Sequence, residues 1–235
     1  MTGWRGECDL IDPMCGSGTI PIEAALIARN IAPGVFRKGF AFEKWVDFDS
    51  EMFDEIYNDD SQEREFTHKI YGYDNNPKAN EIATHNIKAA GVSKDVTLKL
   101  QPFQQFEQPQ EKSIIVMNPP YGGNEKEGVK QNFPADLRSS ETADLFMSVI
   151  MYRLKQNGRC AIILPDGFLF GTDNAKMAIK EKLLSEFNLH TVIRMPHSVF
   201  APYTSITTNI LFFDRTHPTT ETWFYRLDMP EGYKN

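Results

Sequence analysis

The segment from Cys8 to Ile31 constrains the fold more than any other part of the chain. A short apolar run, Cys8-Asp9-Leu10-Ile11, leads into Asp12-Pro13-Met14-Cys15-Gly16-Ser17-Gly18-Thr19. Apolar residues then recur at helical spacing, at Ile20, Ala24, Ile27 and Ile31. The order is strand, glycine turn, helix. Pro21 suits the first turn of that helix, where an N–H has no partner to lose.

Residues 30–69 interrupt this rhythm. They hold Pro33-Gly34, the aromatics Phe36, Phe40, Phe42, Trp45 and Phe48, and an acidic cluster from Asp47 to Asp60. The segment reads as an insertion with one helix near 50–66 and a solvated acidic face. The alternation then resumes. Lys69 to Asp74 is a strand ending in an acid, and Pro77 to Ala90 a helix closed by Gly91. Val96–Leu100 and Ser113–Met117 are strands. Residues 123–140 are polar and turn-rich, which predicts a mobile loop. Helices follow at 143–154 and 175–187, and strands at 160–164, 189–194 and 207–213, with one further strand near 223–227. The strands at 189–194 and 207–213 have no helix between them, so they form an antiparallel hairpin. The whole predicts a single α/β domain over residues 1–235, its sheet mostly parallel with helices on both faces.

Bulk properties narrow the class. No apolar run approaches the ~20 residues that span a bilayer, and the N-terminus shows no signal-peptide pattern. A cytoplasmic protein without membrane contact is expected. Cys8, Cys15 and Cys160 lie beside apolar stretches at no ligand-like spacing, which predicts buried free thiols and neither disulfides nor a metal site. The net charge of −7 is unusual for a chain that grips nucleic acid by itself. Either its basic groups cluster in space, or another domain or subunit supplies the grip.

Three segments carry chemistry. In open α/β sheets ligands bind at the carboxyl ends of the strands. Gly16 and Gly18 let the backbone approach such a ligand, while Asp12 suits a cationic amino-acid part. No Lys follows the second glycine, so this is no phosphate loop; a plain tight turn would use the same residues. Asp74, at the next strand end, fits ribose hydroxyls of an adenosine-type ligand or a simple turn. Asn118-Pro119-Pro120-Tyr121 is the most specific signal. The prolines hold the backbone extended and leave the Asn118 side-chain oxygen and the Pro119 carbonyl as converging acceptors. Two acceptors suit an amino group, and Tyr121 offers a face for stacking an extruded base.

The set Asp-x-x-x-Gly-x-Gly, strand-end Asp and Asn-Pro-Pro-Tyr resembles the class I amino-methyltransferases of nucleic acids. The resemblance covers nearly the whole chain and implies a Rossmann-like, seven-stranded sheet with a late antiparallel hairpin. It implies S-adenosylmethionine as cofactor and DNA or rRNA as partner. Residues 9–122, with "LIDPMCGSGTIPIEAALIARNIAPG" and "YGYDNNPKANEIATHNIKAAG", look like rRNA guanine-N2 methyltransferases that carry a THUMP domain. Residues 144–215, with "GRCAIILPDGFLFG", "LHTVIRMPHSVF" and "TTNILFFDR", look like the methylase subunit of type I restriction systems, which methylates adenine N6. The change of character falls near 118–123, as a crossover at a shared motif would produce in a chimera.

Carried over residue by residue, the resemblance assigns Asp12, Pro13, Cys15, Gly16, Gly18, Thr19, Asp74, Asn75, Gln101, Phe103 and Asn118 to the cofactor. It assigns Asn118, Pro119, Pro120 and Tyr121 to catalysis, and Tyr121 with Phe200 to the base. Gln101 stands where these enzymes usually place an acid for the adenine amino group. Both families also have a cofactor-holding segment before the first strand, and a target-reading part, which this stretch is expected to lack; weak cofactor binding is expected from both departures. Asp166, after Pro165, lies either near the pocket or outside it, and His190 and His197 read as structural. Adenine N6 in DNA is the favoured target, guanine N2 in rRNA the runner-up, and a catalytically silent scaffold the reading from another class. A dinucleotide oxidoreductase would leave Asn-Pro-Pro-Tyr without a role.

Overall fold

A computed structural model describes residues 2–32, 34–105, 113–197 and 199–229; Pro33, of the Pro33-Gly34 turn, lies outside them. The strands are β1 (Asp9–Asp12), β2 (Ile70–Asp74), β3 (Val96–Leu100), β4 (Ser113–Met117), β5 (Arg159–Pro165), β6 (Asn188–Arg194), β7 (Thr208–Asp214) and β8 (Trp223–Arg226). The helices are α1 (Thr19–Arg29), α2 (Ser50–Tyr57), α3 (Pro77–Ala89), α4 (Glu127–Lys130), α5 (Thr142–Arg153), α6 (Asp166–Phe170) and α7 (Asn174–Glu186).

One sheet holds all of these strands in the order β3-β2-β1-β4-β5-β7-β6-β8. The first five in that order run parallel, and β7 lies antiparallel between β5 and β6. The hairpin is therefore where the sequence placed it. The seven strands that the resemblance implies are exceeded by one: β8, the further strand expected near 223–227, lies parallel to β6. All four of its residues are exposed. The aromatic run Trp223-Phe224-Tyr225 marks the strand in the sequence, and with no buried side chain it joins the sheet edge through backbone pairing.

The central strands are apolar on both sides, as helix-covered parallel strands must be. Successive side chains leave a strand on opposite faces. Leu10 and Ile114 join Ala24, Ala25, Ala83 and Ile87 of α1 and α3 in one core. Ile11 and Ile115 join Met147, Ile150, Ile179 and Leu183 of α5 and α7 in the other. The chain order reverses direction between β1 and β4, so the crevice of an open sheet opens beyond the ends of these two strands.

Two expectations are corrected. The helix in the insertion stops at Tyr57 instead of 66. Asp49 caps its start by accepting from the Met52 N–H at 2.9 Å. Asn58 ends it, and Asp59 and Asp60 follow, where acids oppose the negative end of a helix dipole. The second correction concerns 123–140. Leu137 and Ser139 are buried, and a backbone bridge joins Asn124 to Glu141, so the loop is docked rather than loose.

Candidate active site

The turn after β1 is built by short-range geometry. Gly16 and Gly18 have φ of 52° and 86°, a left-handed conformation that disfavours other residues. A Cβ on Gly18 would also sit 3.3 Å from the Ala83 Cβ, so α1 and α3 meet closely there. The Cys15 N–H donates to the Tyr73 carbonyl at 2.8 Å, and the Gly16 N–H donates to Asp74 Oδ2 at 3.0 Å. The second Asp74 oxygen accepts from the Asn76 N–H at 2.8 Å. The loop after β1 and the acid after β2 are thus one unit.

Asp12 is buried and its Oδ1 accepts from the Met14 N–H at 3.1 Å. Burial pushes its carboxyl up to about 7, against that hydrogen bond, and the neighbouring charge of Asp74 adds to the rise. An acid so placed ionises readily only beside a cation. Cys15 is pushed up to about 12, chiefly by burial, and stays an unreactive thiol. Pro13 is buried, Thr19 and Asn75 are exposed, and among the described residues, its chain neighbours aside, nothing lies within 4 Å of where a Gly16 side chain would point. This set of groups fits a ligand with an ammonium group, for which Asp12 is an acceptor, and vicinal hydroxyls, for which Asp74 is one.

Gln101 follows β3, and its amide NH₂ donates to the Gln105 carbonyl at 2.5 Å, which fixes its orientation. Phe103 is buried edge-on against Phe146, with ring centroids 4.9 Å apart. It therefore backs the crevice from within the core instead of lying open to a ligand.

Asn118-Pro119-Pro120-Tyr121 leaves the end of β4, beside the loop after β1. Pro119 is buried, and Asn118 and Tyr121 are half-buried. The Tyr121 hydroxyl donates to Asn118 Oδ1. Burial pushes that hydroxyl up to about 12, so it keeps its proton. Phe200, from the β6–β7 connection, faces Tyr121 with centroids 5.4 Å apart and planes tilted 50°. Residues 79 positions apart in sequence are thus brought together as expected. A flat base between two rings needs about 7 Å, twice a van der Waals stacking distance, so the pair must part by about 2 Å to admit one.

Asp166 does not face this space freely. Its carboxylate holds Arg194 at 3.1 and 2.7 Å and Asn209 at 2.7 Å, pinning both ends of the segment that carries Phe200. His190 and His197 each pair with a threonine hydroxyl at 2.9 Å. Two supporting residues escaped the sequence reading. Asn86 on α3 donates to the Ser17 carbonyl at 2.9 Å and props the glycine turn. Gly72 leaves room for Cys15: a Cβ there would lie 3.1 Å from its sulfur and 2.8 Å from Leu98 Cδ2. A glycine inside a strand was the available signal for the second.

The family described as UPF0020, RMKL-like methyltransferase domain, matches residues 1–193. The chain belongs to that family. Its match runs through both the glycine turn and Asn118–Tyr121. The RMKL-like domain is 42% identical over 172 residues to the type I restriction enzyme EcoEI methylase subunit of Escherichia coli, covering 71% of this chain and 34% of that protein. It is 40% identical over 127 residues to the ribosomal RNA large subunit methyltransferase K/L of Vibrio campbellii, covering 51% of this chain and 18% of the relative. Among solved structures, the modification subunit of a candidate type I restriction enzyme from Vibrio vulnificus YJ016 superposes with a TM-score of 0.71 at 32% identity, over 96% of this chain and 44% of that one. The dual resemblance read from the sequence is therefore present. The domain has the class I methyltransferase fold and takes S-adenosylmethionine as cofactor, which matches the donor set above. It spans about a third of the type I relative's length and less than a fifth of the rRNA relative's.

A separate cavity of about 760 Å³ opens at the opposite ends of the strands, beside Lys69 and Asp95. Three of the cations there are engaged: Arg64 by the Ala28 and Arg5 carbonyls, Arg29 by Glu63, and Lys69 by the Lys94 carbonyl. No helix among the described residues is long and apolar enough to cross a membrane.

Proposed function

We propose that this domain methylates the N6 amino group of adenine in DNA. The observation that carries the reading is Asn118-Pro119-Pro120-Tyr121 at the end of β4, with Phe200 set against Tyr121. Asp12, the Cys15–Gly18 turn and Asp74 would hold the cofactor, whose sulfonium would supply an electrophilic methyl group and leave as the neutral thioether. Asn118 Oδ1 and the Pro119 carbonyl accept the two amine hydrogens and draw them from the ring plane. That localises the nitrogen lone pair on the methyl side. Tyr121 and Phe200 hold the extruded base between them. No strong base is needed before attack, because the nitrogen sheds its proton after alkylation.

The match to the EcoEI methylase subunit over 71% of the chain favours adenine. The 40% identity to the rRNA methyltransferase over half of it keeps guanine N2 in RNA as the second reading. With a net charge of −7, target reading falls to a further domain or subunit. The cytoplasm is the compartment we propose.

The test starts with calorimetric titration of S-adenosylmethionine and S-adenosylhomocysteine into wild type and Asp74→Ala. Binding abolished by the substitution is expected. Labelled methyl transfer to DNA and to rRNA follows, with nucleoside analysis. N6-methyladenine supports the proposal and N2-methylguanine selects the second reading. Binding without transfer to either marks a silent scaffold.

A further inference from the structure

We infer that Lys176 is a positioning residue for the Asn118–Tyr121 turn, acting through the segment that docks against it. Lys176 lies in the first turn of α7, yet it is only 2% exposed. Its ammonium meets Glu141 at 2.7 Å, Asp144 at 2.9 Å and Asp173 at 3.2 Å. Asp144 is completely buried and also accepts from the Ser139 hydroxyl at 2.5 Å. The Glu141 N–H in turn donates to that hydroxyl at 3.0 Å. One ammonium therefore gathers Ser139, Glu141 and Asp144, which lead into and begin α5.

The same stretch holds the far end of the catalytic turn. Thr142 grips the Gly123 carbonyl, two residues beyond Tyr121, through its N–H at 3.2 Å and its hydroxyl at 3.0 Å. The Glu125 N–H donates to the Ser140 carbonyl at 3.0 Å. Asn118 is fixed from upstream by β4, so Gly123 is the free end of the turn, and Thr142 ties it to the group that Lys176 collects.

The site is shaped for this lysine. Gly171 has ordinary extended geometry, with φ of −66°. A Cβ there would nevertheless lie 2.4 Å from Lys176 Cδ and 2.6 Å from the Gly167 carbonyl. The glycine makes room for the stem. A buried ion pair adds little net stability compared with an apolar replacement of similar volume. What three carboxylates around one ammonium do supply is a single allowed arrangement of the elements that bear them. The inference rests on the proposed role of Asn118–Tyr121 only for its effect on turnover.

The test is hydrogen exchange followed by mass spectrometry on wild type, Lys176→Met and the double variant Lys176→Met/Asp144→Met. The double variant removes the stranded acid together with the cation, so it decides the matter if the single variant does not fold. The amides of Glu125 and Thr142 are expected to exchange at least tenfold faster. Segments 9–18 and 70–76, and the affinity for S-adenosylhomocysteine, should stay within twofold of wild type. Unchanged protection at Glu125 and Thr142, with faster exchange confined to α7, would overturn the inference. Where the wild type methylates DNA, kcat should fall at least tenfold in the double variant while cofactor affinity holds; an unchanged kcat overturns the inference as well. Where it methylates nothing, the exchange result stands alone and the functional reading is what has failed.

Discussion

On the proposed function, Asp12 and Tyr121 both make contacts that a substrate complex has to rearrange. The Asp12 carboxyl, raised to about 7, is protonated in much of the free protein at neutral pH, whereas it ionises near 3.8 when unfolded. Its stabilising contribution is therefore full below about 4 and is lost as pH rises through about 7. Cofactor binding has the opposite sign, because an ammonium group selects the ionised form. Affinity for S-adenosylhomocysteine should rise about tenfold between pH 6 and 8, with a proton released on binding. Asp12→Asn should flatten that profile; titration calorimetry in two buffers of different ionisation enthalpy reads both effects. Tyr121 sits in the reverse situation, since its hydroxyl occupies the Asn118 oxygen that the proposed mechanism assigns to the amine. Tyr121→Phe keeps the ring and frees that acceptor. A net hydrogen bond is worth ~1 kcal/mol, so KM for the target should fall about fivefold. A raised KM would mean that the hydroxyl contacts the base instead.

At the scale of elements, the glycine turn shows how local chemistry becomes architecture. Gly18 both turns the chain and lets α1 approach α3. Gly18→Ala meets a left-handed φ and a Cβ contact at 3.3 Å. A loss of ~1–2 kcal/mol is expected from the backbone alone, a drop of roughly 2–8 °C in Tm for a chain of this length. Calorimetry checks that, and cofactor affinity should fall with it. Elements of this sort were legible because their signals are local: apolar runs, capping residues, glycine before a helix. The pairing of Tyr121 with Phe200 was legible only through resemblance, since no spacing rule joins positions so far apart. The strand near 223–227 was read, but its place beside β6 at the sheet edge, the early end of α2 and the docking of 123–140 were not legible. The first depends on an open sheet edge, the second on a run of acids at a helix end. The third depends on Lys176, which in a sequence reads as one more surface lysine in an amphipathic helix.

For the whole molecule, charge separates chemistry from grip. The chain carries 25 basic and 32 acidic residues, and eight acids lie between Glu43 and Asp60, in the insertion. The insertion stands on its own aromatic cluster of Phe40, Phe42, Phe48, Phe53 and Tyr57, with no buried residue in α2. Its negative potential repels a phosphate backbone from that side. The chain by itself should therefore bind a DNA duplex no more tightly than non-specific proteins do, with Kd of ~10 μM or weaker at physiological salt. Fluorescence anisotropy across salt concentrations measures both the affinity and the slope. A slope of about −2 or shallower would mean that few phosphates are neutralised. Target engagement would then come from the remainder of a longer protein or from a partner subunit, and this domain would contribute the pocket. Sub-micromolar binding with a slope near −6 would instead require a clustered basic face on the domain, and its lysines and arginines would be found by charge reversal.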